Sequence, residues 1–576
     1  MRNQISLVAV GVSLALTGNV NAAALGAAHE IYIGGATAVQ NSFGADIISR
    51  FCSSNIQVYV DKIANGGLSL PGGGDPNAQT PILENGDQVV VHCTTLGGFA
   101  NTNLNTKDIA FYKFNGGSAT GVAPVDDPVN GVDVSSASYL DASPAACNKI
   151  NSARADKKWT AVGGNLFDLY ECPAAPLGVQ TPDAGISDVE PKMFKGTLAQ
   201  DAGPEPAGVP NAPAKPFAGL STLVVKTGPG VVFGVAVTIP MYDELQDDQK
   251  GAGMLPDCLG TLGAGGTNPA TRDVWRDTVA CMPSVPSGLV SSVANGDLTK
   301  WSNTKVYGLA LNVDLDNSGS VSTEEDRVRF CRRRSGSGTH AQFSAHYLNT
   351  NCADNAFSTG TTSPTPLSFL DAAAIYENKG SSDMDDCLDA LGDGGGFDGD
   401  AGTSGGKDSD AVPVGLTAFA MGYNSLERNT SLTRSYRFVK VDGVAPTLKN
   451  AWTGDYGDVY YLSYQYRLNS AGKPDLRTGA LRTVAATGPQ RDTAEAFFQV
   501  WNSPDAAVIG VVNTGFVVNP TGNAADTWGG GSMVPSAAAA LLGAFNPVLP
   551  TTPFSRTAVV NGQSVADSCQ ALTLAN

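Results

Sequence analysis

Arg333-Arg334-Ser335-Gly336-Ser337-Gly338-Thr339-His340 sets guanidinium, hydroxyl and backbone N–H donors side by side, just ahead of a stretch with helical spacing. A Gly-Ser-Gly-Thr turn leaves amides uncovered at a helix N-terminus. The macrodipole adds partial positive charge there, and a neighbouring Arg can grip two oxygens at once. This is the chemistry of a cradle for a tetrahedral oxyanion. Read alone, the same motif also describes a solvated turn with an N-cap.

A second cluster runs from Asp314 to Glu325, DLDNSGSVSTEE. It fits a twelve-residue calcium loop. Asp314, Asp316 and Ser318 supply side-chain oxygens, Gly319 the sharp turn, Ser320 a carbonyl, Ser322 a contact through water, and Glu325 a bidentate carboxylate. An acidic, solvated turn is the alternative. The flanks differ from a helix-loop-helix: Tyr307, Leu309, Leu311 and Val313 alternate as in a strand, and Val328 with Phe330 suggests another, so the loop is expected to close a hairpin. Because it lies directly before Cys331 and the Arg cluster, a calcium ion there would act as a structural staple for the strand that presents Arg333.

Signatures of catalysis are sparse. The four histidines (His29, His92, His340, His346) contain no i,i+4 pair, and no Walker A loop is present. The chain is therefore expected not to be an enzyme. A phosphatase, suggested by calcium beside an oxyanion site, is the lesser alternative.

These residues need a scaffold, and 576 residues with 42% hydrophobic composition suffice for two large lobes, while 67 Gly and 33 Pro imply many loops. A formal charge of -18 argues against nucleic acid and anionic membranes as partners. It does not oppose a buried anion site, where contact donors outweigh a screened distant field. Residues 1–22 read as a signal peptide: Arg2, an apolar run from Ile5 to Leu16, then Val20-Asn21-Ala22. The protein is thus expected to be periplasmic or secreted, with no lipid anchor and no transmembrane segment. The apolar run from Gly230 to Met241 reads as a buried strand.

Ten cysteines without a C-x-x-C favour disulfides in an exported protein. Connectivity is open, with Cys147–Cys172, Cys258–Cys281 and Cys331–Cys352 as the local pairings. Strand-like runs at Ile31–Gly35, Val89–His92 and Ile109–Tyr112 alternate with helical spacing such as Phe43, Ile47 and Ile48, which implies α/β layers. Loop insertions are expected over 66–81, 202–216 and 392–410.

The order of these motifs resembles the periplasmic phosphate-binding proteins of ABC uptake systems, which are type II periplasmic binding proteins. Gly34-Gly35-Ala36-Thr37 is similar to that family's first strand-to-helix turn, whose Thr hydroxyl and following amide, here that of Ala38, hold phosphate; an aromatic residue is usual at 38. Gly117-Ser118-Ala119-Thr120-Gly121 resembles its second turn, with Ser118 as ligand. Gly185-Ile186-Ser187-Asp188 resembles the turn whose carboxylate accepts the proton of bound phosphate. Arg333 with Ser337-Gly338-Thr339 resembles the donors of the second lobe, although the family's Asp that braces the Arg is Ser335 here. Leu289–Trp301, Pro413–Tyr423 and Phe497–Trp501 match neighbouring stretches, so the likeness runs from about residue 29 to 545.

The resemblance implies an α/β, two-lobed fold with a hinge and an interlobe cleft. One lobe would span 25–224 and 456–576, and the other 225–455. Phosphate, or a similar tetrahedral oxyanion, would be held for uptake or scavenging, with an ABC permease as a possible partner. The alternative is a secreted or cell-surface structural protein that reuses the fold. Physically, Thr37, Ser118, Ser337 and Thr339 can donate hydroxyl hydrogen bonds and Arg333 a bidentate pair. Asp188 only accepts, so it favours an anion that carries a proton over sulfate.

Overall fold

The computed structural model describes residues 25, 29–36, 44, 47–48, 51–60, 88–115, 117–122, 125, 138–140, 142, 146–154, 167–172, 176–179, 182–191, 223–256, 274–294, 297–316, 318–333, 337–348, 374–378, 380–396, 414–429, 432–467, 493 and 496–497, with short strands between 532 and 574. Within them the fold is mixed α/β. Its centre is a 14-stranded sheet built from β1 (His29–Gly35), β2 (Cys52–Val60), β3 (Gln88–Thr95), β4 (Asp108–Asn115), β5 (Asn148–Arg154), β6 (Phe167–Glu171), β7 (Ala184–Ser187), β8 (Leu223–Thr238), β9 (Arg329–Arg333), β10 (Ala374–Asn378), β11 (Met421–Ser425), β12 (Tyr436–Phe438) and β13 (Val459–Arg467). The spatial order is β10-β9-β11-β8-β13-β7-β1-β4-β3-β2-β6-β5, with β12 and Ser532–Met533 pairing onto β8.

The inner strands are covered on both faces. Along β4, Ile109 and Phe111 join the large core while Ala110 and Tyr112 join a second cluster; β1 divides the same way, with Ile31 and Ile33 against Tyr32. This double burial suits the parallel pairs β1–β4 and β1–β7. The strand-like runs expected at Ile31–Gly35, Val89–His92 and Ile109–Tyr112 fall within β1, β3 and β4.

Strand β8 joins the two halves of the sheet. Its first part pairs with β13 and its second with β11 and β12. The register shifts between Thr227 and Gly230, around Pro229, which has no N–H to give a ladder. The strand expected to continue to Met241 ends at Thr238, and helix α1 (Ile239–Gly251) begins there. Pro240 is the cause: its fixed φ and missing N–H suit the first helical turn and not a central strand.

The remaining helices named here are α2 (Ser287–Ala294), α3 (Thr323–Asp326), α4 (Gly338–Tyr347) and α5 (Ser381–Asp393). Trp301, in the matched stretch after α2, is buried and donates its indole N–H to the Phe419 carbonyl at 3.2 Å. The calcium-type loop does not close a hairpin. A hairpin does form, but between Lys305–Val306 and Leu309–Ala310, turned by Tyr307 and Gly308 with φ of 52° and 88°. The later loop instead enters α3, because Ser322 and Glu325 form a reciprocal capping box, and β9 then pairs in parallel with β10 and β11.

Disulfides Cys52–Cys93, Cys147–Cys172 and Cys331–Cys387 are present, and Cys281 is disulfide-bonded as well. The Cys147–Cys172 pairing agrees with the local expectation. Cys331 does not pair with Cys352: α5 packs against β9 and brings Cys387 within a Cα–Cα distance of 6.2 Å. The expected insertions 66–81 and 202–216 lie outside the described residues. Of the third, 392–396 are described, and Gly394 closes α5 in the left-handed conformation. Among the described residues, no helix is long and apolar enough to cross a membrane.

Candidate functional site

Strands β1, β4 and β7 run parallel, with Gly35 in register with both Asn115 and Ile186, so the turns that follow them emerge at one edge. In open α/β sheets ligands collect at such carboxyl ends. The turns touch through bare backbone. A Cβ placed on Gly185 would stand 1.6 Å from the Gly121 carbonyl oxygen, and one on Gly121 would stand 2.3 Å from the Ile186 oxygen. The Ala36 N–H donates to the Ile186 carbonyl at 2.9 Å, and Gln465 Nε2 holds the Gly121 carbonyl at 2.7 Å. Thr37 and Ala38, next along the first turn, lie outside the described residues.

This backbone contact brings Ser118 and Asp188 together, 70 residues apart in sequence. Ser118 Oγ donates to Asp188 Oδ2 at 3.0 Å and accepts from the Asp188 N–H at 3.0 Å. Both residues are buried, and Asp188 Oδ1 has no hydrogen-bond partner among the described residues. Burial pushes the Asp188 carboxyl above the usual carboxylate range; the Arg333 guanidinium, the Ser118 bond and Lys113 oppose that rise.

The other half supplies the donors. Arg333 is the last residue of β9 and is buried; its Nη1 donates to Ser381 Oγ at 2.8 Å, at the start of α5. Ser335 is outside the described residues; among the described residues, Ser381 places a hydroxyl on Arg333. Ser337 caps α4, its Oγ accepting the His340 N–H at 3.4 Å. Thr339 is buried and its Oγ1 has no hydrogen-bond partner among the described residues. Gly338 joins the two sides: a Cβ there would stand 2.4 Å from Ser118 Oγ and 2.7 Å from Asp188 Cβ.

The structure thus gathers Ser118, Asp188 and the Ser337-Gly338-Thr339 start of α4, with Arg333 close enough to act on the Asp188 charge. His340 lies in the first turn of α4, where burial, then Arg332 and Arg333, push its pKa down to about 3, so the ring is neutral at ordinary pH. Arg332, which strand alternation would send to solvent, is buried.

Sequence reasoning missed two residues. Ser381 carries no signal in an ordinary acidic helix. Lys113 had one: it interrupts the row Ile109, Phe111 on an otherwise apolar strand face, and it is buried beside the site.

At the acidic loop, Asp314, Asp316 and Glu325 bring carboxylate oxygens within 4.8 Å of one another, a group that could hold a metal ion. Asp314 accepts the Ser318 and Gly319 N–H groups at 3.0 and 2.8 Å, and Asp316 accepts the Ser318 N–H at 2.9 Å. Bonds from Ser318 hold the Asp316 carboxyl below its ordinary range, and the Ser322 N–H does the same to Glu325. Ser318 Oγ donates to the Ser320 carbonyl at 2.9 Å, and Ser322 Oγ accepts the Glu325 N–H at 3.2 Å, so these serines serve the turn and the cap.

No protein-family model matches the chain, and no curated protein does. Among solved structures, a candidate phosphate ABC transporter substrate-binding protein with bound phosphate from Clostridium perfringens is 10% identical over 71% of this chain and 86% of its own, with a TM-score of 0.30. An ABC-type phosphate transport receptor from Vibrio cholerae is 10% identical over 50% and 69%, with a TM-score of 0.23. PstS from Borrelia burgdorferi is 8% identical over 50% and 67%, with a TM-score of 0.21. At these values no residue role is carried over from them.

Proposed function

We propose that this chain is an exported solute-binding protein that holds inorganic phosphate, or a similar protonated tetrahedral oxyanion, between two lobes. The reading is carried by one observation, the meeting of the Ser118–Asp188 pair with Gly338 at the N-terminus of α4. Donors and a lone acceptor converge there from motifs scattered over more than 200 residues of sequence. In this reading Arg333 and the α4 amides neutralise the anion, Ser118, Ser337 and Thr339 donate hydroxyls, and Thr37 with the Ala38 amide completes the set. Asp188 Oδ1 receives the proton that phosphate keeps and sulfate lacks. A fully ionised guest would face a buried carboxylate with no proton between them, and that costs affinity.

The lobes would be 25–224 with 456–576, and 225–455, moving about β8 and β13. Calcium is the ion proposed for Asp314, Asp316, Ser318, Ser320, Ser322 and Glu325, where it would hold the approach to β9 rigid. Its hard oxygen donors and Gly319, with φ of 79°, suit that ion. Delivery to an ABC permease is the partner interaction this function implies.

Calorimetry on ligand-stripped protein tests the reading. Phosphate should bind and sulfate should bind far more weakly, Asp188→Asn should narrow that gap, and Arg333→Ala should lose about 2–5 kcal/mol of phosphate affinity. Equal affinities for the two anions, or an Arg333→Ala variant that binds as the parent does, would refute it.

A further inference from the structure

Lys113 ends the row Ile109, Phe111, Lys113 on β4, beside Ile33 of β1 and Val89 of β3. It is only 1% exposed. Its Nζ donates to the carbonyls of Gly35 at 3.2 Å, Ala36 at 3.0 Å and Phe114 at 3.1 Å. The first two carbonyls lead into the Thr37 turn, and the third leads into the Ser118 turn. One nitrogen therefore ties together two of the three turns proposed to hold the anion.

Three carbonyls suit an ammonium, which has three N–H donors. A neutral amine has two donors and a lone pair, so one carbonyl would face that lone pair. Burial works the other way, pulling the Lys113 pKa down to about 7, while Asp188 is the charge that raises it. Among the described residues, the ionisable groups on the strands beside it are engaged elsewhere. Glu30 of β1, on the opposite face, accepts from the Tyr32 hydroxyl; Asp183 accepts from the Tyr32 N–H; and His92 of β3, also on the opposite face, pairs with Asp108. Arg333 acts on the same Asp188 carboxyl. Negative charge added beside Asp188 would thus favour the ammonium.

We propose that Lys113 is a positioning residue of the anion site: a buried amine that takes up a proton as the anion binds and, as an ammonium, locks the first two turns in place. The proposal rests on the oxyanion reading given above. It differs from a purely structural role because the lock and the ligand share a proton.

Calorimetry with inorganic phosphate on the full, oxidised chain at pH 8, in two buffers of different ionisation heat, measures protons taken up per anion bound. The wild type should take up more than Lys113→Met by as much as about one proton. Protonation of free phosphate is common to both proteins and cancels in the difference; that of Asp188 does not, because Lys113 acts on its carboxyl, so the same pair is also compared in an Asp188→Asn background. Equal uptake by two proteins that both bind phosphate overturns the role of Lys113 and leaves the oxyanion reading standing; no phosphate binding by the wild type overturns both. Should Lys113→Met fail to fold, carbon-13 lysine NMR on the wild type decides. The Lys113 ε-carbon should titrate near neutral pH without phosphate and shift to higher pH with it. A resonance that titrates at the ordinary lysine value of about 10.4 in both conditions overturns the proposal.

Discussion

Gly338→Ala separates stability from binding. Gly338 opens α4 without a positive φ, so the backbone accepts Ala, and the loss of unfolded-chain entropy favours the variant by about 0.4–1 kcal/mol. The added methyl carbon would stand 2.4 Å from Ser118 Oγ and 2.7 Å from Asp188 Cβ, where ordinary contact begins at 3.4 Å. Both neighbours are held by each other and by backbone, so they cannot simply swing aside. Overpacking of this kind costs about 1–3 kcal/mol. On the proposed two-lobe reading, the ligand-free protein escapes that cost by opening, but the arrangement that surrounds the anion does not escape it. Phosphate affinity should therefore fall about 5- to 150-fold, while the melting temperature of the ligand-free protein stays within a few degrees of the parent's. Titration calorimetry and thermal melting on the same preparation measure both. Affinity within twofold of wild type would mean that the start of α4 and the Ser118–Asp188 pair do not close on the anion together, and the site described here would be wrong.

Chelation of calcium should lower the melting temperature, and Glu325→Gln should remove most of that sensitivity; free calcium at about 100 times its dissociation constant would add about 2.7 kcal/mol. Identical melts with calcium and with chelator would remove calcium from the loop. Reduction of Cys331–Cys387 should weaken phosphate binding before global unfolding, because it frees the β9 strand that aims Arg333 from the α5 helix that presents Ser381 to it. Graded reductant with parallel titration and circular dichroism checks this, and binding that survives loss of the bridge would count against it.

The parts of the fold legible in sequence were those in which local pattern and tertiary environment agree. Ile109 to Tyr112 reads as a strand because β-formers lie on both of its faces, and both faces are buried. The Ser337-Gly338-Thr339 turn announced a helix start through its own capping chemistry, and α4 begins there. What failed depended on distant chain. Cys352 is nearer to Cys331 in sequence than Cys387 is, yet α5 crosses β9 and decides the pairing. The hairpin expected around 314–325 lost to a parallel pairing whose partner strands, β10 and β11, begin more than 40 residues later. Ser381 meets Arg333 for the same reason, since nothing local marks a serine 48 residues away as the brace for a guanidinium.

The contact between Gly121 and Gly185 is main chain against main chain, and the close approach of the second and third turns therefore depends on neither residue carrying a side chain. Two consequences oppose each other. The chain between these anchors is free to lengthen, because loop closure costs only about 0.6 kcal/mol for each doubling of length, and additions there leave the spacing of Ser118 and Asp188 as it was. The anchors have no such freedom. One methyl group at either glycine pushes backbone against backbone, so surface segments can vary around the junction while the junction itself admits a single residue type.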